Sequence, residues 1–212
     1  MRKDVLIIGA GGHAQVIADI LLRQYEQLGK LFPIGYLDDD KKLWGMKFLD
    51  ITVLGAIEKL PEIKHDGIVI AIGNNNTRKE LARQFASSGE YFIPVIHPSA
   101  VIAPDVLLGN GIMICAGVVV NPGSVIGDHV ILNTGSTIDH HNQINSYVHI
   151  APGVHTGGEV VVEEGAFVGI GASVIPRVSI GAWSVIGAGA VVTKNIPPGV
   201  TAVGIPAKPL KK

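Results

Sequence analysis

The chain is poor in cysteine, aromatic rings and unbalanced charge. Its one cysteine, Cys115, excludes an internal disulfide and fits a reducing compartment. Cys115 directly follows a core position, so it reads as a small packing residue rather than a nucleophile. Aromatic residues are 5% of the chain, which suits a narrow core of small side chains. A net charge of −1 gives no basis for binding nucleic acid. No segment approaches the roughly 20 apolar residues of a membrane span. The apolar run from Val5 to Ile8 is too short for a secretory leader and runs straight into a glycine turn. These absences point to a cytoplasmic protein without membrane insertion.

What is present is a six-residue beat. From Ile102 to Val192 in steps of six lie sixteen positions, and fifteen are Ile, Leu or Val; Thr156 is the exception. Smaller residues such as Ser124, Ser136, Ala166, Ala172 and Ser184 recur four positions after a beat. A period of six fits neither a helix face near 3.6 nor one long strand at two. It fits short strands joined by tight turns and stacked as a β-solenoid, with one aliphatic residue pointing inward per strand. Glycine, 27 residues in all, and asparagine serve the corners. Three six-residue sides make a coil of eighteen.

The first ninety-odd residues follow a different rule. Val5 to Ile8, Ile34 to Leu37, Ile68 to Ile72 and Phe92 to Ile96 read as strands. Helical patterns run onward from Ala14 and from about Thr77 to Ser87. Alternating strands and helices indicate a small parallel α/β sheet, a Rossmann-like half. The expected domains are 1–97 and 98–212. Gly9-Ala10-Gly11-Gly12-His13-Ala14 fits G-x-G-x-x-A between a strand and a helix, where backbone N–H groups can meet a pyrophosphate. The half-size sheet favours a nucleotide-linked ligand over NAD; a purely structural turn stays open. Asp38 and Asp39, with Asn74 and Asn75, end two strands on the same sheet edge as Gly11, Gly12 and His13.

Histidines cluster between 129 and 155. His140 and His141 follow the beat at Ile138 and are expected to face outward near a corner. His149 lies nine residues from His140, half a coil on, so the two project from different sides of one chain. They can share a site only across a contact between subunits.

Together these residues resemble a known family. Ile7-Ile8-Gly9-Ala10-Gly11-Gly12-His13-Ala14 comes first. Asp139-His140 follows with Val148-His149-Ile150-Ala151-Pro152-Gly153, and Val203-Gly204-Ile205-Pro206-Ala207-Lys208 comes last. In that order they resemble the sugar-nucleotide 4-amino-sugar N-acetyltransferases of the left-handed β-helix superfamily. The related sialic acid O-acetyltransferases are also similar. The resemblance implies a left-handed coil, against the usual crossover hand, and a homotrimer with sites between neighbouring solenoids. It implies acetyl-CoA as co-substrate, no permanently bound cofactor or metal, and a nucleotide-activated amino sugar held by the N-terminal domain. His140 becomes the general base, with Asp139 and His141 beside it. His149, Gly158, Gly171, Gly189 and Lys208 become the acetyl-CoA residues.

A histidine, with an ordinary pKa of about 6.5, can take the proton of an amine attacking a thioester, and no acyl-enzyme is needed. One departure stands out. The family commonly carries an acid after the catalytic histidine, and here that position is His141. Two other classes fit parts of the pattern: a γ-type zinc carbonic anhydrase using His140, His141 and His149, and a non-catalytic solenoid. The N-terminal domain and the Gly204 to Lys208 tail have no use in the first of these, and the second predicts no thiol release from acetyl-CoA with any amino sugar.

Overall fold

The computed structural model describes residues 2–210, which divide after Pro98 into two compact units. The first unit is a five-stranded sheet. Its strands are β1 (Lys3–Ile8), β2 (Leu31–Leu37), β3 (Lys47–Phe48), β4 (Ile51–Gly55) and β5 (Gly67–Ile70), in the order β3-β4-β2-β1-β5. All neighbours are parallel except the β3–β4 hairpin. β1 lies between β2 and β5, and Val5 to Ile8 are wholly buried, as a strand covered on both faces requires. Helix α1 (Gly12–Leu28) buries Ala14, Ile17, Ala18, Ile20 and Leu21, and α2 (Asn75–Ser87) buries Ala82 and Phe85.

Two local features depart from the sequence reading. β2 starts three residues earlier than expected, and its ladder with β1 slips where Pro33 offers no N–H donor. The hairpin turns through Leu49 and Asp50, both at positive φ (52° and 60°), a geometry that Leu-Asp does not advertise as Asn-Gly would.

The second unit is a left-handed parallel β-helix of two-residue strands. Its first face runs from Val101–Ile102 to Val191–Val192 and its second from Leu107–Leu108 to Ser179–Ile180. The third runs from Met113–Ile114 to Val185–Ile186 and ends on Thr201–Val203. Partners along each face are eighteen residues apart, as Val101, Val119 and Thr137 illustrate. The beat residues Val120, Ile138, Ile144, Ile150, Val162 and Ile180 are buried and form the core.

At the beat's one exception, Thr156 is buried and its hydroxyl is in use. Thr156 Oγ1 accepts from the Asp139 N–H and donates to the Thr137 carbonyl, both at 3.3 Å. A hydroxyl replaces an aliphatic group directly beneath the corner that carries His140.

Candidate active site

The corner between the first and second faces carries Asp139, His140 and His141. Three buried polar side chains fix its backbone. Ser124 Oγ donates to the Asp139 carbonyl at 2.9 Å, and Asn142 Nδ2 donates to the same carbonyl at 2.6 Å and to that of Gly157 at 2.9 Å. Thr156 is the third. Polar groups in an otherwise aliphatic core are costly unless satisfied, so their gathering at one corner marks that corner as specially held.

His140 and His141 are exposed, with Nδ1 atoms 3.1 Å apart. The His140 ring covers the Cα of Gly158 so closely that a Cβ there would sit 2.4 Å from Cε1. His141, at φ 56°, covers Gly123 in the same way. Gly158 is therefore the floor of the His140 ring, and not open surface for a pantetheine arm. The Asp139 carboxylate binds neither imidazole in this arrangement. Its Oδ1 accepts from Asn121 Nδ2 at 2.9 Å and from the His140 N–H at 2.8 Å. These hydrogen bonds, with the charge of His140, hold its pKa below the usual carboxylate value.

The corner between the third and first faces is different. Its positive-φ position is glycine in five successive coils: Gly117, Gly135, Gly153, Gly171 and Gly189. The backbone alone does not demand this. Arg177 and Trp183 hold the matching position of the other two corners at φ 62° and 57°. A Cβ on Gly171 or Gly189 would meet nothing within 4 Å, so the space beside them is open. On the adjoining third face His149 is 8% exposed, more buried than an outward strand position suggests. Its ring meets Phe167 edge to face at 5.1 Å, and its Nε2 lies 3.3 Å from Asn133 Nδ2. Lys208 is exposed in the short strand Lys208–Pro209. Within one chain, His149 and the bare glycine corner are separated from His140 by the width of the first face. That is on the order of 15–20 Å for six extended residues.

In the first unit a cleft of about 490 Å³ opens beyond the carboxyl ends of β1 and β5. Its walls include Gly9, Gly11, Gly12, His13, Asp38, Asp39 and Gly73. β1 pairs with β2 on one side and β5 on the other, the strand reversal beside which parallel sheets bind ligands. α1 begins at this cleft without a side-chain cap or an acidic residue in its first turn. No atom lies within 4 Å of a Cβ placed on Gly11 or Gly12.

Asp38 shapes the cleft: Oδ2 accepts from the Ala10 N–H at 2.8 Å and Oδ1 from the Asp40 N–H at 2.9 Å. Asp39 Oδ1 accepts from the Ile57 N–H at 3.0 Å. Asn74 and Asn75 are occupied otherwise. Asn74 caps α2 by accepting from the Thr77 N–H at 3.0 Å, and Asn75 Oδ1 accepts from the buried Arg78 at 2.9 Å. Arg78 gave no periodic signal in the sequence. Glu159 and Arg177 were missed too, although steps of eighteen from His141 lead to both.

Burial, followed by the Arg78 charge, lowers the pKa of His13 to about 4. The His13 ring is therefore uncharged at neutral pH. The folded value lies below the ordinary 6.5, so the unfolded chain binds more protons between the two. The contribution of His13 to stability is complete above pH 6.5 and is lost as pH falls toward 4. Urea unfolding at pH 7 and pH 5 should show His13→Asn losing about 2 kcal/mol less than the native chain. Equal losses would contradict a neutral buried His13.

Burial pushes the Cys115 thiol up to about 12, which leaves it an inert core residue. Among the described residues no three of His, Cys, Asp and Glu are grouped to hold a metal ion. No helix among them is long and apolar enough to cross a membrane.

A β-helix with a histidine fixed at one corner and bare glycines at another, in a chain that also carries a small parallel α/β unit, is the architecture of a hexapeptide-repeat acyltransferase. Residues 4–85 match the PglD N-terminal domain family, and residues 159–194 match the bacterial transferase hexapeptide (six repeats) family. The chain is 33% identical over 215 residues to GDP-perosamine N-acetyltransferase of Escherichia coli O157:H7, covering 97% of this chain and 96% of that one. PerB from Caulobacter crescentus, in complex with CoA and GDP-perosamine, matches with a TM-score of 0.90 and 38% identity, over 98% of this chain and 97% of that one. The acetyltransferase domain of PglB from Neisseria gonorrhoeae, in complex with acetyl coenzyme A, matches with a TM-score of 0.91 and 34% identity, over 99% and 100%. The chain belongs to the acetyl-CoA-dependent sugar N-acetyltransferases of the hexapeptide-repeat family.

Proposed function

We propose that this enzyme transfers the acetyl group of acetyl-CoA to the 4-amino group of a nucleotide-linked amino-deoxysugar, with His140 as general base. The observation that carries the reading is the His140 corner. An exposed imidazole stands there on a backbone held by three buried polar side chains, Ser124, Asn142 and Thr156. Proteins similar to this chain add support. A histidine-to-alanine variant of the Caulobacter crescentus enzyme is in complex with both CoA and GDP-perosamine.

The chemistry follows from the groups. The sugar amine attacks the thioester carbonyl, a C–N bond forms and His140 takes the N–H proton. The oxyanion is stabilised by backbone N–H donors and then collapses. The C–S bond breaks, and the CoA thiolate leaves with the proton carried by His140. The nucleotide rests in the β1–β5 cleft with its phosphates toward the α1 N-terminus. Acetyl-CoA lies along Gly171, Gly189 and His149, with Lys208 near its phosphates. A base at one corner and a thioester surface a full face away meet when solenoids pack around a threefold axis, so the working form is a homotrimer. Dependence on acetyl-CoA and an activated sugar supports a cytoplasmic site of reaction.

The test is a screen of GDP-, UDP- and dTDP-linked 4-amino-6-deoxysugars with acetyl-CoA, read by acetyl mass gain and free thiol. Absence of thiol release with every amine overturns the reading. Transfer to hydroxyl sugars alone makes the enzyme an O-acetyltransferase.

The cleft has its own consequence. Asp38→Ala removes the acceptor that holds the Ala10 N–H, a loss worth about 1–3 kcal/mol. The KM for the sugar nucleotide is expected to rise about tenfold or more, with that for acetyl-CoA unchanged. A rise confined to acetyl-CoA would assign the cleft to the wrong substrate.

A further inference from the structure

No acid follows the base in sequence, and Asp139, which precedes it, spends its hydrogen-bonding oxygen on Asn121 and a backbone N–H. An adjacent carboxylate would perform two tasks at once: fix the tautomer and aim of the imidazole, and stabilise the imidazolium that forms. In this chain two residues sit where each task can be done separately. We propose that His141 fixes the His140 ring while Glu159, one coil further on, supplies the negative charge.

His141 has the geometry for the first task. Its Nδ1 is 3.1 Å from His140 Nδ1, and its ring is held over Gly123. A hydrogen bond between two Nδ1 atoms needs one proton. When His140 is the donor, its Nε2 keeps the lone pair that a base requires. After the amine proton arrives at Nε2, the Nδ1–H still donates to His141, so the contact survives the reaction.

Glu159 has the position for the second. It follows Gly158, on which the His140 ring lies, and its N–H donates to the His140 carbonyl at 2.9 Å. It holds the corner position of His141 in the next coil, and Arg177 holds it one coil beyond. Arg177 donates to Glu159 through Nε at 3.2 Å and Nη2 at 3.1 Å, but both bonds end on Oε1. No hydrogen bond among the described residues uses Oε2. The Glu159 carboxylate is kept below its usual pKa first by Arg177 and then by the charges of His140 and His141, so it is ionised and feels both rings. The other charges around the pair are Asp139 on the same corner and Asp105 in the preceding coil, which accepts from the Gly123 N–H at 2.9 Å. His141 and Glu159 are positioning residues, since neither needs to touch the substrate.

The inference rests on His140 being the base, and a double-mutant cycle separates the two claims. Steady-state kinetics at neutral pH are measured for Glu159→Gln, His141→Asp and the pair together, with His140→Ala as reference. Glu159→Gln in the native background is expected to lower kcat about tenfold, with both KM values unchanged. His141→Asp restores an adjacent acid and is expected to retain activity, whereas His141→Ala loses it. In the His141→Asp background Glu159→Gln is expected to cost less than twofold, because the new carboxylate performs both tasks. His140, His141 and Glu159 are all exposed, and circular dichroism checks that each variant is folded. A Glu159→Gln penalty equal in the two backgrounds, or absent from the native one, overturns the division of roles and leaves His140 untouched. Full activity of His140→Ala overturns the base itself.

Discussion

Replacing His140 with alanine is expected to lower kcat by about 10²–10⁴, the usual range for removing a general base. The effect should fall on kcat and leave KM for both substrates nearly unchanged, because the imidazole acts on a proton and does not hold either molecule. The fold should survive. His140 is exposed, and the corner beneath it is held by Ser124, Asn142 and Thr156 without help from its ring. Removing the ring uncovers Gly158, where there is room for water. The variant's rate should climb as pH rises, since more of the amine is then free without assistance. Native kcat at neutral pH in this variant would end the proposal that His140 is the base.

The sequence made the solenoid legible because its constraint is repeated. Each coil needs an inward aliphatic residue at each of three sides, so one rule is written sixteen times and a single Thr156 cannot obscure it. The first unit was legible at β1, where both faces are buried and the apolar run is continuous. It was less so at the β3–β4 hairpin, whose turn uses Leu49 and Asp50 against their local preference. At the active corner the residue types were readable and the contacts were not. Asp139, His140 and His141 stand together in sequence, but which nitrogen faces which depends on Gly123 and Gly158, each in another coil. Glu159 and Arg177 look like ordinary surface charges until the coil of eighteen stacks them below His141. Asn74 and Asn75 show the opposite case, structural bonds that their sequence position did not announce. Their sequence position suggested a ligand, and the folded chain uses them to begin α2 and to hold Arg78.

Two inactive variants should restore activity when they share an oligomer. The first is His140→Ala, which lacks the base. The second is Gly171→Glu, which blocks the glycine corner. Glu159 adopts φ 58° at the equivalent turn position, so the backbone at Gly171 (φ 67°) can accept a glutamate at a cost of about 1–2 kcal/mol. Its side chain fills space that is open beside Gly171, and its charge opposes the phosphates of acetyl-CoA. The KM for acetyl-CoA is expected to rise about 100-fold, equivalent to about 2.7 kcal/mol of lost binding. At an acetyl-CoA concentration near the native KM, each variant alone is then almost silent. Suppose each site takes His140 from one subunit and Gly171 from its neighbour, as their separation across the first face requires. In a random equal mixture, half of the contributing bases and half of the contributing grooves are intact. About one quarter of the sites should therefore work. Co-expression of the two variants and assay of the purified mixture measures this fraction, and light scattering reports the number of subunits. If base and groove belong to the same chain, every chain carries one lesion and mixing recovers nothing. A mixture no more active than its parents would therefore exclude the shared site, whatever the oligomer's size.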